Sequence, residues 1–236
     1  MKQETKAQIV LALIGPPGCG KGTQGMLLSE KLRLFYFETS KILEASFKQA
    51  DDDDFVEADG QSFYLKNEHR LWLDGILCSP PFVSQLVKER ISKLHAKGES
   101  LVLSGSPRTL YEAQTVFPLL SELYGADNVK VVFIDISPAE TIFRNSHRRI
   151  CELMRHPILY NDETAALTRC AFDGSPLVKR KSLDDPEVIK TRLKEFEERT
   201  MPILDYCVKN NLKVLKVHGE GSVAEVFERI NTAIKS

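Results

Sequence analysis

Five short runs along the chain are apolar almost without interruption: QIVLALI (8–14), LFYFET (34–39), SLVLSG (100–105), VKVVFIDIS (129–137) and LKVLKVHG (212–219). A strand wetted on one face alternates apolar and polar residues, whereas a strand covered on both faces reads as a near-continuous apolar run. The runs therefore predict strands of a parallel sheet buried on both sides. Segments of helical period lie between them. In FVSQLVKERISKLHAKG, Phe82, Leu86, Val83 and Val87 fall on adjoining turns, and Gly98 is expected as the C′ glycine that ends the helix. Strand and helix in alternation predict an α/β fold with a doubly wound parallel sheet.

Two stretches break the alternation. Residues 40–81 hold helical pieces, the run DDDD (51–54) and the breaker GILCSPP; residues 147–183 are short, polar and carry two cysteines. Both fall between core elements and are expected as insertions over the carboxyl edge of the sheet, where open α/β sheets bind ligands. The acidic run is expected as a solvated turn.

Composition narrows the picture. At 236 residues the chain supports one sizeable core, and a net charge of −1 provides no overall basic field for nucleic acid or anionic lipid. Phosphate recognition must then be local. The five cysteines, Cys19, Cys78, Cys151, Cys170 and Cys207, are odd in number and widely spread, which argues against a disulfide framework and for a reducing cytosol. No apolar run is long enough to span a bilayer, and MKQETKAQ lacks the charged-then-apolar order of a signal peptide. A cytoplasmic protein without membrane or nucleic-acid partners is expected, and a monomer, since no exposed apolar face is evident.

The stretch with chemistry is GPPGCGKGTQ (15–24). It follows a strand, precedes a helical run and satisfies G-x-x-x-x-G-K through Gly15, Gly20 and Lys21. Gly18, Gly20 and Gly22 let backbone N–H groups turn inward around phosphate oxygens, the helix start adds a positive dipole end, and Lys21 reaches the β and γ phosphates of a nucleoside triphosphate. The hydroxyl that usually follows the lysine and ligates Mg²⁺ is replaced by Gly22, with Thr23 one place later.

Taken with SGSPRT (104–109), RNSHRRI (144–150) and LDDPEVIKTRL (183–193), this loop resembles the adenylate kinase family in order and spacing over nearly the whole chain. The resemblance implies a five-stranded core formed by 1–37, 87–144 and 184–236, a nucleoside-monophosphate-binding insertion at 38–86 and a lid at 145–183. It implies direct in-line transfer from MgATP to AMP, with Lys21, Arg108, Arg148 and Arg192 catalytic and Arg149 and Arg180 or Lys181 as possible partners. ATP would be held by Gly15, Pro17, Gly18, Cys19, Gly20, Lys21, Gly22, Thr23, Arg144, Arg148 and Gly219. The monophosphate would be held by Thr39, Lys41, Leu77, Cys78, Gly105, Arg108 and Glu112. Positioning and cationic stabilisation carry such chemistry, so no protein nucleophile is needed.

Several positions depart from the family pattern. TSKILE (39–44) has Lys41 where an aspartate is usual and Glu44 where an arginine contacts the acceptor phosphate. Glu44 must turn away or find a cation, and Lys41, three residues earlier on one helix face, is the candidate. Ser104 stands where a carboxylate organises Mg²⁺ waters, and Glu112 where a glutamine reads adenine. A carboxylate there accepts from the exocyclic amine of adenine or cytosine but lacks the amide donor. A kinase for CMP, UMP or a deoxynucleotide, or a nucleotide-binding protein with little catalysis, therefore stand beside adenylate kinase as alternatives.

Family lids often hold zinc in two C-x-x-C or C-x-x-D pairs. Here Met154 takes one cysteine position, and Cys151, His156, Cys170 and Asp173 form the better donor set for a structural Zn²⁺. Hydrogen bonds and packing alone are the alternative. Trp72, Phe63 and Tyr64 are expected to pack within the first insertion, and Asp135, at a strand's carboxyl end, is left without a role.

Overall fold

A computed structural model describes residues 8–48, 50–179 and 185–236. In chain order the strands are β1 (Val10–Ile14), β2 (Phe35–Glu38), β3 (Phe55–Ala58), β4 (Gln61–Tyr64), β5 (Leu101–Ser104), β6 (Val129–Asp135), β7 (Arg149–Cys151), β8 (Pro157–Ile158), β9 (Leu177–Val178) and β10 (Lys213–His218). The α-helices are α1 (Lys21–Leu32), α2 (Thr39–Lys48), α3 (Leu65–Leu73), α4 (Pro80–His95), α5 (Leu110–Tyr124), α6 (Pro138–Ser146), α7 (Pro186–Glu195), α8 (Pro202–Lys209) and α9 (Val223–Lys235).

All five predicted strands form one parallel sheet in the order β10-β6-β1-β5-β2. Alternate residues of β1 go to opposite faces. Val10, Ala12 and Ile14 join Phe37, Leu101, Leu103 and Val131 against Phe82, Val87 and Ile91 of α4 and Phe117 of α5. Leu11 and Leu13 face Leu28 of α1 and Val226 and Ile230 of α9. Each large apolar side chain buried in this way stabilises the fold by about 1.5–3 kcal/mol. The edge strand β10 departs from the continuous pattern: Leu215 and Val217 are buried, while Lys213, Lys216 and His218 are exposed.

Local signals set the helix starts. Ser137 and Asp185 each cap a helix that has proline in its first turn, and Ser222 with Glu225 forms a reciprocal capping box at α9. The α4 helix stops at His95, earlier than the glycine expected to end it. Gly98 follows a short turn at φ 80°, its N–H donating to His95 O at 2.8 Å.

The first insertion contains an element the helical reading missed. β3 and β4 pair antiparallel across Asp59 and Gly60, both at positive φ, the requirement that makes Asp-Gly a hairpin signal. The acidic run beside it is an exposed turn, Asp51 N–H donating to Asp54 Oδ2 at 2.8 Å and Lys66 pairing with Asp52 at 3.1 Å. In the second insertion β7 is the centre of a three-stranded antiparallel sheet, β8-β7-β9. The Asp135 carboxylate is half-exposed and pairs with Lys216 at 3.1 Å on the neighbouring strand. No described helix is long and apolar enough to cross a membrane.

Candidate active site

Every described residue singled out above for either nucleotide lines one cleft of about 1270 Å³ over the carboxyl edge of the sheet, except Gly15 and Arg149. Gly15 lies behind the loop, where an added Cβ would meet Ile134 O at 2.4 Å and Cys19 Sγ at 2.6 Å. Close packing by itself requires glycine at this position.

The phosphate loop runs from β1 into α1, with Gly20 as N-cap at φ 96°, a backbone that non-glycine residues adopt only with strain. Lys21 opens the helix and folds Nζ back to donate to Gly15 O at 2.6 Å and Pro16 O at 3.0 Å. Burial lowers the Lys21 pKa below its ordinary value; Cys19 opposes this, and the charges of Arg108 and Arg192 add to it. The charges of Arg108 and Arg192 thus oppose that of Lys21 across the cleft, which a polyanion bound beside Lys21 relieves. Arg108 is likewise lowered by burial, against the opposing charge of Glu112.

Glu112 is held differently from a base-reading side chain. It sits at the third position of α5, where its carboxylate folds back onto the turn before it. Ser106 Oγ donates to Oε2 at 2.8 Å, Arg108 N–H to Oε2 at 3.1 Å and Thr109 Oγ1 to Oε1 at 3.1 Å. Burial raises its pKa while these donors pull it down. Glu112 therefore shapes the turn that carries Arg108 as well as lining the cleft.

Lys41 pairs with Glu38 at 3.4 Å, so the cation expected to offset Glu44 is engaged on the strand side of α2. Glu38 was not singled out from the sequence. It is the Cα partner of Ser104 on the neighbouring strand, so a carboxylate stands beside the serine that replaces one. Tyr36, also unmarked, lies against the phosphate-loop helix: a Cβ on Gly25 would meet its ring at 2.6 Å. Burial, then Glu38, pushes its phenol up to about 12, opposed by its bond to Ser104. Thr39 Oγ1 is buried without a hydrogen-bond partner among the described residues. Trp72 packs near Phe47 and His69 and also lines the cleft.

At the end of the cleft expected to hold ATP, Arg144 Nε donates to Glu140 Oε1 at 2.6 Å. Asn145, fully buried between Arg144 and Arg148, donates from Nδ2 to Pro17 O at 3.1 Å and Thr141 O at 2.7 Å, tying α6 to the phosphate loop. No motif marked it. Arg148 reaches the cleft, but Arg149 does not join it. Arg149 opens β7, just after Arg148, and its guanidinium donates to Leu167 O and to Thr164 O, the latter at 2.6 Å. Arg180 and Lys181 lie outside the described residues.

The lid brings Cys151, His156, Cys170 and Asp173 together, their ligand atoms all within 4.8 Å of one another. Cys151 Sγ is 2.8 Å from Asp173 Oδ2, and Cys170 Sγ is 3.3 Å from His156 Nε2. Met154 is turned out to solvent, while its N–H donates to Cys151 Sγ at 3.2 Å. Two thiols, an imidazole and a carboxylate at this spacing fit a tetrahedral Zn²⁺.

A family model described as Adenylate kinase matches residues 13–212. Three curated relatives, each named Adenylate kinase, cover almost all of both chains. The protein of Methanocella arvoryzae is 33% identical over 94% of this chain and 97% of its own. That of Chlamydia pneumoniae is 31% identical over 94% and 95%, and that of Methanothrix thermoacetophila 30% identical over 95% and 97%.

Proposed function

This chain belongs to the adenylate kinase family and is a phosphotransferase of the nucleoside monophosphate kinase type, and from that premise we propose which residues carry the reaction MgATP + AMP ⇌ 2 ADP. The observation that carries the assignment is the convergence of Lys21, Arg108, Arg148 and Arg192 on one cleft from four separate elements. Binding ATP alone does not need cations from the lid and from the turn after β5.

ATP lies with its phosphates on the loop 15–23 and its base between Arg144 and Gly219. Mg²⁺ enters with ATP as part of the substrate, and Thr23, Ser104 and Glu38, which line the cleft, would offer oxygens to its water shell. The acceptor phosphate meets Arg108, and its base lies against Thr39, Leu77 and Cys78. The buried, unpartnered hydroxyl of Thr39 supports that placement. An acceptor phosphate oxygen attacks the γ-phosphorus in line while Lys21, Arg148 and Arg192 offset the charge spread over the transferring group. Closure of the 145–183 lid and the 38–86 insertion over the 1–37, 87–144 and 184–236 core keeps water from intercepting that group. AMP is the preferred acceptor; CMP shares its phosphate and an exocyclic amine, UMP shares the phosphate without that amine, and dAMP lacks only the 2′-hydroxyl.

Separate incubations of ATP and Mg²⁺ with AMP, CMP, UMP, GMP and dAMP, resolved by chromatography, test this reading. AMP is expected to give ADP fastest, and Lys21→Ala to give little. Turnover of none of the five by protein that binds ATP overturns it.

Zn²⁺ in the lid fits Cys151, His156, Cys170 and Asp173 and would act structurally, remote from the transferring phosphate. Elemental analysis of protein purified without added metal is expected to find about one zinc per chain, and much less in Cys151→Ser. Metal-free, well-folded wild-type protein removes the site. The five free thiols support a reducing cytosol, and a cleft complete within one chain supports action as a monomer.

A further inference from the structure

Helix α7 carries Arg192, and the residues spaced around it meet two loops at the acceptor end of the cleft. Val188, Arg192 and Glu195 follow one another at steps of four and three, which keeps them along one side of α7. Glu195 Oε2 accepts from the backbone N–H of Leu77 at 3.1 Å and from Arg199 Nη1 at 2.8 Å. Two residues before Leu77 the same loop is pressed against α7. A Cβ on Gly75, whose φ is 76°, would meet Val188 Cγ1 at 2.6 Å and Arg192 Cγ at 3.2 Å. Only glycine lets the chain approach the root of Arg192 so closely.

Beyond Glu195 the helix widens into a π turn over Phe196–Thr200, closed by Met201 N–H donating to Phe196 O at 2.9 Å. Such turns carry one extra residue and occur often at functional sites. At its end Thr200 Oγ1 donates to Arg108 O at 2.6 Å. One continuous segment thus presents Arg192, grips the loop 75–78 by its amide, and grips the turn that carries Arg108 by its carbonyl.

We infer that Glu195 is a positioning residue that fastens the loop 75–78 to the helix bearing Arg192, so that seating the acceptor against Leu77 and Cys78 also sets the place of Arg192. Its side chain is 17% exposed and its carboxylate is shared between an amide and a guanidinium, bonds of the charge-assisted kind. The inference rests on the acceptor assignment proposed above. It implies that Glu195 acts on the monophosphate side of the reaction and leaves ATP binding alone.

Three variants and one exchange measurement test it. Glu195→Ala removes both bonds, Glu195→Gln keeps an acceptor for Leu77 N–H, and Arg199→Leu removes only the ion pair. With both substrates varied, Glu195→Ala is expected to raise the monophosphate KM about tenfold and the ATP KM less than about twofold, while Glu195→Gln stays within about threefold of wild type on both. Arg199→Leu is expected to resemble Glu195→Gln. An equal rise for both substrates, or no recovery in Glu195→Gln, overturns the role. Hydrogen exchange at the Leu77 amide in the unaltered protein is independent of how well the variants fold. AMP is expected to slow it at least about fivefold and a non-hydrolysable ATP analogue not to; equal protection by both, or by neither, overturns the inference. Wild-type protein that turns over no monophosphate brings down the functional reading itself, whereas turnover with an unsplit KM brings down Glu195 alone.

Discussion

The proposed donor and acceptor ends of the cleft are built from different material. The donor end is a backbone device: ten consecutive residues turn from β1 into α1, and Lys21 bonds back to carbonyls five and six residues earlier. The acceptor end is a side-chain device gathered from distant parts of the chain. Thr39 and Lys41 come from α2, Leu77 from the loop before α4, Arg108 from the turn after β5, and Glu195 and Thr200 from the segment around residue 196. Charge differs as well. Glu38, Glu44 and Glu112 all line the cleft at the acceptor end, where a phosphate dianion needs cations. Two of them are engaged, Glu38 with Lys41 and Glu112 with three donors. A backbone device tolerates little change in its few residues, while a side-chain device lets substitutions accumulate so long as the net field stays positive.

The comparison can be broken at several levels. The largest effect is expected at the point the two halves share: Lys21→Ala should lower kcat by about 10²–10³-fold, since it removes a cation from the transferring group. A loss confined to the ATP KM would instead make Lys21 a binding residue. Next comes a paired test of the two ends. Arg108→Ala is expected to raise the monophosphate KM by at least tenfold with little change for ATP, and Arg144→Ala to raise the ATP KM several-fold with little change for the monophosphate, about 1–2 kcal/mol each. Crossed or uniform effects would abolish the division between donor and acceptor ends.

The smallest expected effect lies in the framework beneath both ends. Burial pushes the Cys207 thiol of α8 up to about 12 from its ordinary value of 9.0. Above pH 9 the unfolded chain loses this proton and the folded chain keeps it. The contribution is therefore complete below pH 9 and declines as pH rises towards 12, by at most about 1.4 kcal/mol per pH unit. Cys207→Val lacks that decline, so its stability relative to wild type in urea melts should improve by about 1 kcal/mol between pH 8 and pH 10. A constant offset across that range would show that the thiol is not held neutral by the fold.

What the sequence determined by itself was whatever its local order encodes. Five apolar runs became five parallel strands; the inner ones have few positions for polar residues because both faces are buried, while the edge strand β10 keeps exposed Lys213, Lys216 and His218. GPPGCGKGTQ became a strand-loop-helix turn because its glycines and lysine act within one segment. Asp59-Gly60 was equally local, and its hairpin signal was there to be read. Tertiary structure decided the partners of charged groups, because a charge pairs with what lies near it in space. It sent Lys41 to Glu38 and Arg149 to lid carbonyls, and it put Asn145 under Pro17. Spacing named Cys151, His156, Cys170 and Asp173 as candidates, but only the folding of β7, β8 and β9 brings atoms up to 22 residues apart within 4.8 Å. Glu195 marks the limit of local reading. Its amide partner lies 118 residues away, and backbone N–H groups are alike in every sequence, so only the fold tells which one a carboxylate meets.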